Sequence, residues 1–173
     1  MALRIRDATS HDAPACAAIY AHYVRTTALS FESEPPSDDE MARRIAAYGS
    51  SHAWLVAVDD DDVRGYAYGS PFSPREAYAW TAEVSVYLAP DAAGRGLGRA
   101  LYEELFDRLR ARGIRRLQAG ISLPNDASLG LHRALGFEEV GTFRRVGWKH
   151  GRWWDVRRLQ RDVLMDDDGG APG

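Results

Sequence analysis

One cysteine, Cys16, stands in 173 residues, so an internal disulfide and a cysteine-rich zinc site are both excluded. No apolar run approaches the ~20 residues that a membrane helix needs. The opening MALRIRDATSHDA lacks the apolar stretch of a secretory signal. Charge of one sign is scarce too: 22 Lys+Arg against 25 Asp+Glu leave a net charge of -3, which argues against a general nucleic-acid footprint. Lysine occurs once, as Lys149, and no ligand cluster points to a metal. The acidic run Asp59 to Asp62 lacks the spaced oxygens and glycine of a calcium loop and reads as a solvated turn. What remains is 45% hydrophobic and 27% charged, an ordinary globular balance in a chain long enough to bury a core. The expectation is a soluble, cytoplasmic protein with one domain over 1–164 and a disordered tail, MDDDGGAPG, over 165–173.

Periodicity sets the element order. LRIR suits a first strand, and Ser10 or Asp12 offers N-cap oxygens to a helix carrying Ala15, Ile19 and Tyr23 on one face. Ser37 with Glu40 fits a capping box for a second helix ending at Gly49. AWLVAV and RGYAYGS form a hairpin around the aspartates. AWTAEVSVYL, residues 79 to 88, is the strongest strand signal; without a bulge, Glu83, Ser85 and Tyr87 share one face. A helix with a stripe of Leu97, Leu101, Leu105 and Leu109 follows, ending at Gly113. RRLQAGIS is the next strand, and Asn125 or Asp126 caps a short helix ending at Gly136. Two last strands turn near His150 and Gly151. The sum is a mixed α/β (α+β) domain.

Between strand and helix lies GRGLGR. Gly94, Gly96 and Gly98 let a ligand approach the backbone, the helix N-terminus favours an anion, and Arg95 or Arg99 can add charge. The arrangement suits a pyrophosphate. No Gly-Lys-Ser/Thr follows, which excludes a P-loop. The third glycine of a dinucleotide fingerprint is replaced by Arg99, and the next strand ends AGIS with no acid for a ribose, which disfavours a dehydrogenase. Alone, such a loop is equally well a glycine-rich turn with no ligand.

The succession strand, GRGLGRAL, helix, strand, NDASLGLHRALGF resembles the GNAT superfamily of acyl-CoA-dependent N-acetyltransferases over roughly residues 3 to 164. Gly96 and Gly98 match its Q/R-x-x-G-x-G/A loop, while Ala93 takes the usual Gln/Arg place. Within it, SFESEP, SPREAYAWTAEVSVYL, LPNDASLGLH-x-x-LGF and GWKHGRWWDV look like the phosphinothricin and methionine sulfoximine N-acetyltransferase family. The resemblance implies a central, mostly antiparallel sheet splayed at an acetyl-CoA cleft, acetyl-CoA as cosubstrate with no metal, and a homodimer. It implies transfer to the α-amine of a small amino-acid-like acceptor.

By the same resemblance Glu83 matches a proposed catalytic carboxylate, and its place among Ala82, Val84 and aromatics predicts burial that raises its pKa. His132 stands where many relatives carry a tyrosine that protonates the CoA sulfur; donating to the thiolate and relaying a proton are both open to it. Val86, Tyr87 and Leu88 match the strand whose backbone N–H faces the thioester oxygen. Gly94, Arg95, Gly96, Leu97, Gly98 and Arg99 form the pyrophosphate loop, with Asn125 and Ser128 beside the CoA arm. Phe31, Arg75, Tyr78 and Tyr87 line the acceptor pocket, where Arg75 suits a carboxylate. Lys149 and His150 either approach the pocket or cap a solvated hairpin. Two other readings stay open: a peptide or protein N-terminal acetyltransferase, and a non-catalytic acyl-CoA sensor that needs neither Glu83 nor His132.

Overall fold

A computed structural model describes residues 3–164, so the tail expected over 165–173 lies outside the described residues. Strand β1 (Arg4–Asp7) leads through one 3-10 turn, Ser10–Asp12, into α1 (Ala13–Thr26). Asp12 organises that entry. Its carboxylate takes two N–H bonds from Arg6, each 2.8 Å, and the N–H of Thr9 at 2.8 Å. For α2 (Asp38–Ser51) half of the expected capping box is present: Ser37 Oγ accepts the Glu40 N–H at 3.2 Å, while the Glu40 carboxylate accepts from Arg43 and Arg44 instead of reaching back to Ser37. This helix does not stop at Gly49. The Arg112 guanidinium donates to the Gly49 and Ser50 carbonyls, satisfying groups that a helix end otherwise leaves bare, and α2 runs on to Ser51.

Strands β2 (Ala53–Asp59), β3 (Asp62–Pro71) and β4 (Thr81–Leu88) form an antiparallel meander. The strand expected from residue 79 begins at Thr81, because the Ala79 N–H closes a 3-10 turn onto the Glu76 carbonyl. Helix α3 (Leu97–Ala111), β5 (Arg116–Ser122), α4 (Asp126–Ala134), β6 (Glu138–Lys149) and β7 (Arg152–Asp162) follow. The sheet order is β1-β2-β3-β4-β5-β7-β6, antiparallel at every junction except β4–β5.

Each face of the sheet carries its own core. The leucine stripe of α3 packs with Ala82, Val84, Leu117 and Leu159 on one side. Across the sheet, α1 and α2 enclose Trp54, Val56 and Tyr66 with Ala17, Tyr20 and Met41. Even-numbered β4 side chains serve the first core and Tyr87 the second, and the β3–β4 register runs unbroken from Ala82 to Leu88. Alternation therefore places Glu83, Ser85 and Tyr87 on the α1/α2 side, as expected for a strand without a bulge.

Candidate active site

The one parallel junction makes the site. β4 and β5 pair only at Thr81↔Arg116, Ala82↔Leu117 and Glu83↔Gln118. Beyond Glu83 the strands part, β4 staying with β3 and β5 with β7. A cavity of about 430 Å³ fills the gap, walled by Val84 to Leu88, Ala119 to Ser122, the glycine loop and α4. The N–H of Ala89 bonds to Arg64 and the carbonyl of Thr81 accepts from Phe72, so odd-numbered β4 residues turn their backbone toward β3. Even-numbered Val84, Val86 and Leu88 turn theirs toward the gap. Of the three expected candidates for a backbone donor to a thioester oxygen, the alternation thus leaves Val86 and Leu88. Tyr87 lines the cavity, while its ring packs edge-on against Tyr20 and Tyr23.

Gly94 and Gly96 have φ of +78° and +77° with open space where a Cβ would stand, so glycine is needed there for backbone conformation. Gly96 is the N-cap of α3, whose first N–H groups, on Leu97, Gly98 and Arg99, face the loop. Leu97, Gly98 and Arg99 line the cavity; Arg95 is exposed and does not. Arg99 is already paired with Glu103 at 2.8 Å. Asn125, rather than Asp126, caps α4, its Oδ1 accepting the Ser128 N–H at 3.1 Å, and both Asn125 and Ser128 line the cavity.

His132 reaches the same cavity from α4 and is 3% exposed. Its Nδ1 lies 2.8 Å from the Ser128 carbonyl, which can only accept, so Nδ1 carries the proton. Burial lowers the imidazole pKa, partly opposed by that bond. The neutral ring therefore presents a lone pair at Nε2, and this buried atom has no partner among the described residues. Edge-on contacts to Tyr102 and Phe137 hold the ring.

Glu83 departs from expectation. Its side chain is 36% exposed, and Oε1 accepts from Arg158 Nη1 at 2.7 Å. The apolar burial suggested by its strand neighbours is absent because β7 brings an arginine beside it. Arg158 was invisible as a site residue, since nothing in the local RRLQ pattern marks it. Phe31, Arg75 and Tyr78 stand outside the cavity walls. Arg75 precedes the 3-10 turn Glu76–Tyr78 and is exposed, and Tyr78 packs edge-on against Phe72. Phe31 lies over Gly147 so closely that a Cβ there would sit 2.3 Å from the ring.

The β6–β7 tip is strapped to α1. Lys149 Nζ donates to the Val24 and Ser30 carbonyls at 2.6 Å each, and His150 Nε2 donates to the Thr27 carbonyl at 3.1 Å. Both residues therefore fix the hairpin over the segment that carries Phe31. Burial lowers the Lys149 pKa. Among the described residues no group of three or more His, Cys, Asp or Glu is placed to hold a metal, and no helix is long and apolar enough to cross a membrane.

With an apolar trough, exposed strand N–H groups and a helix N-terminus at its mouth, the cavity suits a long acyl-thioester cosubstrate bearing a pyrophosphate. Comparison with known proteins agrees. Residues 5–157 match the acetyltransferase (GNAT) domain. A phosphinothricin N-acetyltransferase of Alcaligenes faecalis is 45% identical over 168 residues, covering 96% of this chain and 85% of that protein. An L-methionine sulfoximine/L-methionine sulfone acetyltransferase of Pseudomonas paraeruginosa is 39% identical, covering 99% of this chain and 100% of that one. The crystal structure of a phosphinothricin acetyltransferase from Sinorhizobium meliloti in complex with acetyl-CoA superposes with a TM-score of 0.90 at 38% identity, covering 99% of this chain and 97% of that one. The chain belongs to the GNAT acetyltransferases, within the group that includes the phosphinothricin and methionine sulfoximine N-acetyltransferases.

Proposed function

We propose that this chain transfers the acetyl group of acetyl-CoA directly to the α-amine of a small amino-acid acceptor, of the phosphinothricin, methionine sulfone or methionine sulfoximine type. The observation that carries this reading is the parting of β4 and β5 just past Glu83, which opens a cavity between a glycine-capped helix and a buried, unpartnered imidazole nitrogen. Bound acetyl-CoA supplies an activated acetyl thioester. The loop from Gly94 to Arg99 holds its pyrophosphate on free α3 N–H groups, and Asn125 and Ser128 border its arm. Val86 or Leu88 donates a backbone N–H to the carbonyl oxygen as charge develops there.

The acceptor enters on the Glu83 and Tyr87 face, with Phe31, Arg75 and Tyr78 around it and the Arg75 guanidinium on its carboxylate. Glu83, directly or through water, takes the ammonium proton so that nitrogen can attack. His132 starts neutral with its only N–H committed to Ser128, so it has no proton at Nε2 to give. It must first accept the second proton, shed by the attacking nitrogen as the C–N bond forms, and then pass it to the thiolate that departs as the C–S bond breaks, which makes it a relay. No metal takes part. β6 is an edge strand exposing Val140, Phe143, Val146 and Trp148, an apolar edge that supports a homodimer.

The test is thiol release from acetyl-CoA with product mass read across phosphinothricin, methionine sulfone, methionine sulfoximine, ordinary amino acids, polyamines and short peptides. N-acetylation of the first three is expected. Acetylation of peptides alone would replace this reading with N-terminal acetylation, and binding without turnover would make the chain a sensor.

A further inference from the structure

Arg158 is an arginine that the chemistry above leaves unused. It faces Gly120 across the β5–β7 pair, and a Cβ on Gly120 would stand 2.6 Å from its Nη1, so the missing side chain gives the guanidinium its place. Gly120 itself walls the cavity. The Arg158 side chain is 18% exposed, and Nη1 donates to Glu83 Oε1 at 2.7 Å. Its guanidinium carbon lies 5.8 Å from the centre of the Phe72 ring, which meets Tyr78 edge-on at 5.4 Å. One cation thus meets the carboxylate and the cavity wall and lies near Phe72, on the loop that carries Arg75. Guanidinium has five N–H donors. The Glu83 bond uses one, and among the described residues the others meet no acceptor.

A mostly buried guanidinium with spare donors, at the mouth where an amino acid would enter, suits a second anion in bidentate fashion. We propose that Arg158 is a specificity-determining residue: it donates to an acidic group on the acceptor's side chain, so that the enzyme favours acceptors with a charged oxyanion there over uncharged ones. The proposal rests on the acceptor class argued above and goes further, by ranking its members. Phosphinothricin and methionine sulfone make a matched pair of probes. Each ends in a tetrahedral centre bearing two oxygens and a methyl group, and the two differ there by one negative charge.

The experiment measures kcat/KM for both acceptors at saturating acetyl-CoA in the parent enzyme, Arg158→Met and Arg158→Lys, with acetyl-CoA Kd as the check on folding. The parent is expected to favour phosphinothricin. Relative to methionine sulfone, Arg158→Met should lose about tenfold or more on phosphinothricin, chiefly through KM, beyond any fall that the two acceptors share from loss of the Glu83 partner. Arg158→Lys should keep part of the preference. An equal fall on both acceptors would reduce Arg158 to a support for Glu83 and overturn the proposal, as would no change on either. A parent that acetylates methionine sulfone but not phosphinothricin overturns the Arg158 proposal alone. A parent that binds acetyl-CoA and acetylates neither overturns the acceptor class and this proposal together.

Discussion

At His132 a single hydrogen bond fixes what the imidazole can do. The Ser128 carbonyl claims the Nδ1 proton, burial disfavours a second proton, and Nε2 is left as a lone pair. The same burial links the residue to stability. With the folded pKa below the ordinary value of 6.5, the unfolded chain binds the proton more readily, so stability falls as pH drops through 6.5 toward the folded pKa. The difference in unfolding free energy between parent and His132→Gln, read by denaturant titration, should therefore shrink for the parent between pH 7.5 and 5.5. A pH-independent difference would contradict a buried neutral imidazole. Glu83 and His132 were singled out by the motifs that contain them, and the structure places His132 against the cavity and Glu83 at the last β4–β5 pair. The Arg158 partner of Glu83 was not, because an ion pair spanning 75 residues leaves no trace in local alternation.

Among the elements, the loop from β4 to α3 was readable almost in full, since positive φ at Gly94 and Gly96 is what such a glycine spacing demands. The end of α2 was not, because the Gly49 and Ser50 carbonyls are met by Arg112, which follows α3 and is distant in sequence. Gly96→Val should weaken acetyl-CoA binding by about tenfold or more, since a β-branched residue resists φ of +77° and re-aims the first α3 N–H groups. Calorimetric titration of acetyl-CoA reads this directly, and an unchanged affinity would remove the loop from the binding site. At the β6–β7 tip Trp148 and Trp153 are 60% and 52% exposed and pack edge-on against each other at the surface.

For the whole molecule, alternation and capping sufficed to give the strand and helix order, while the sheet order and the place where β4 leaves β5 depend on long-range pairing that no local pattern carries. The exposed apolar edge of β6 sets an expectation at this scale: light scattering should report about twice the 19.2 kDa chain mass. A monomer at micromolar concentration would leave that edge without the second copy. Proton uptake by Glu83, at the last β4–β5 pair before the strands part, is the proposed step on which turnover depends. Glu83→Gln tests it most directly, because it keeps the shape of the side chain and removes its charge. Measured together, turnover should fall about a hundredfold or more while acetyl-CoA Kd stays unchanged; turnover equal to that of the parent would contradict the account.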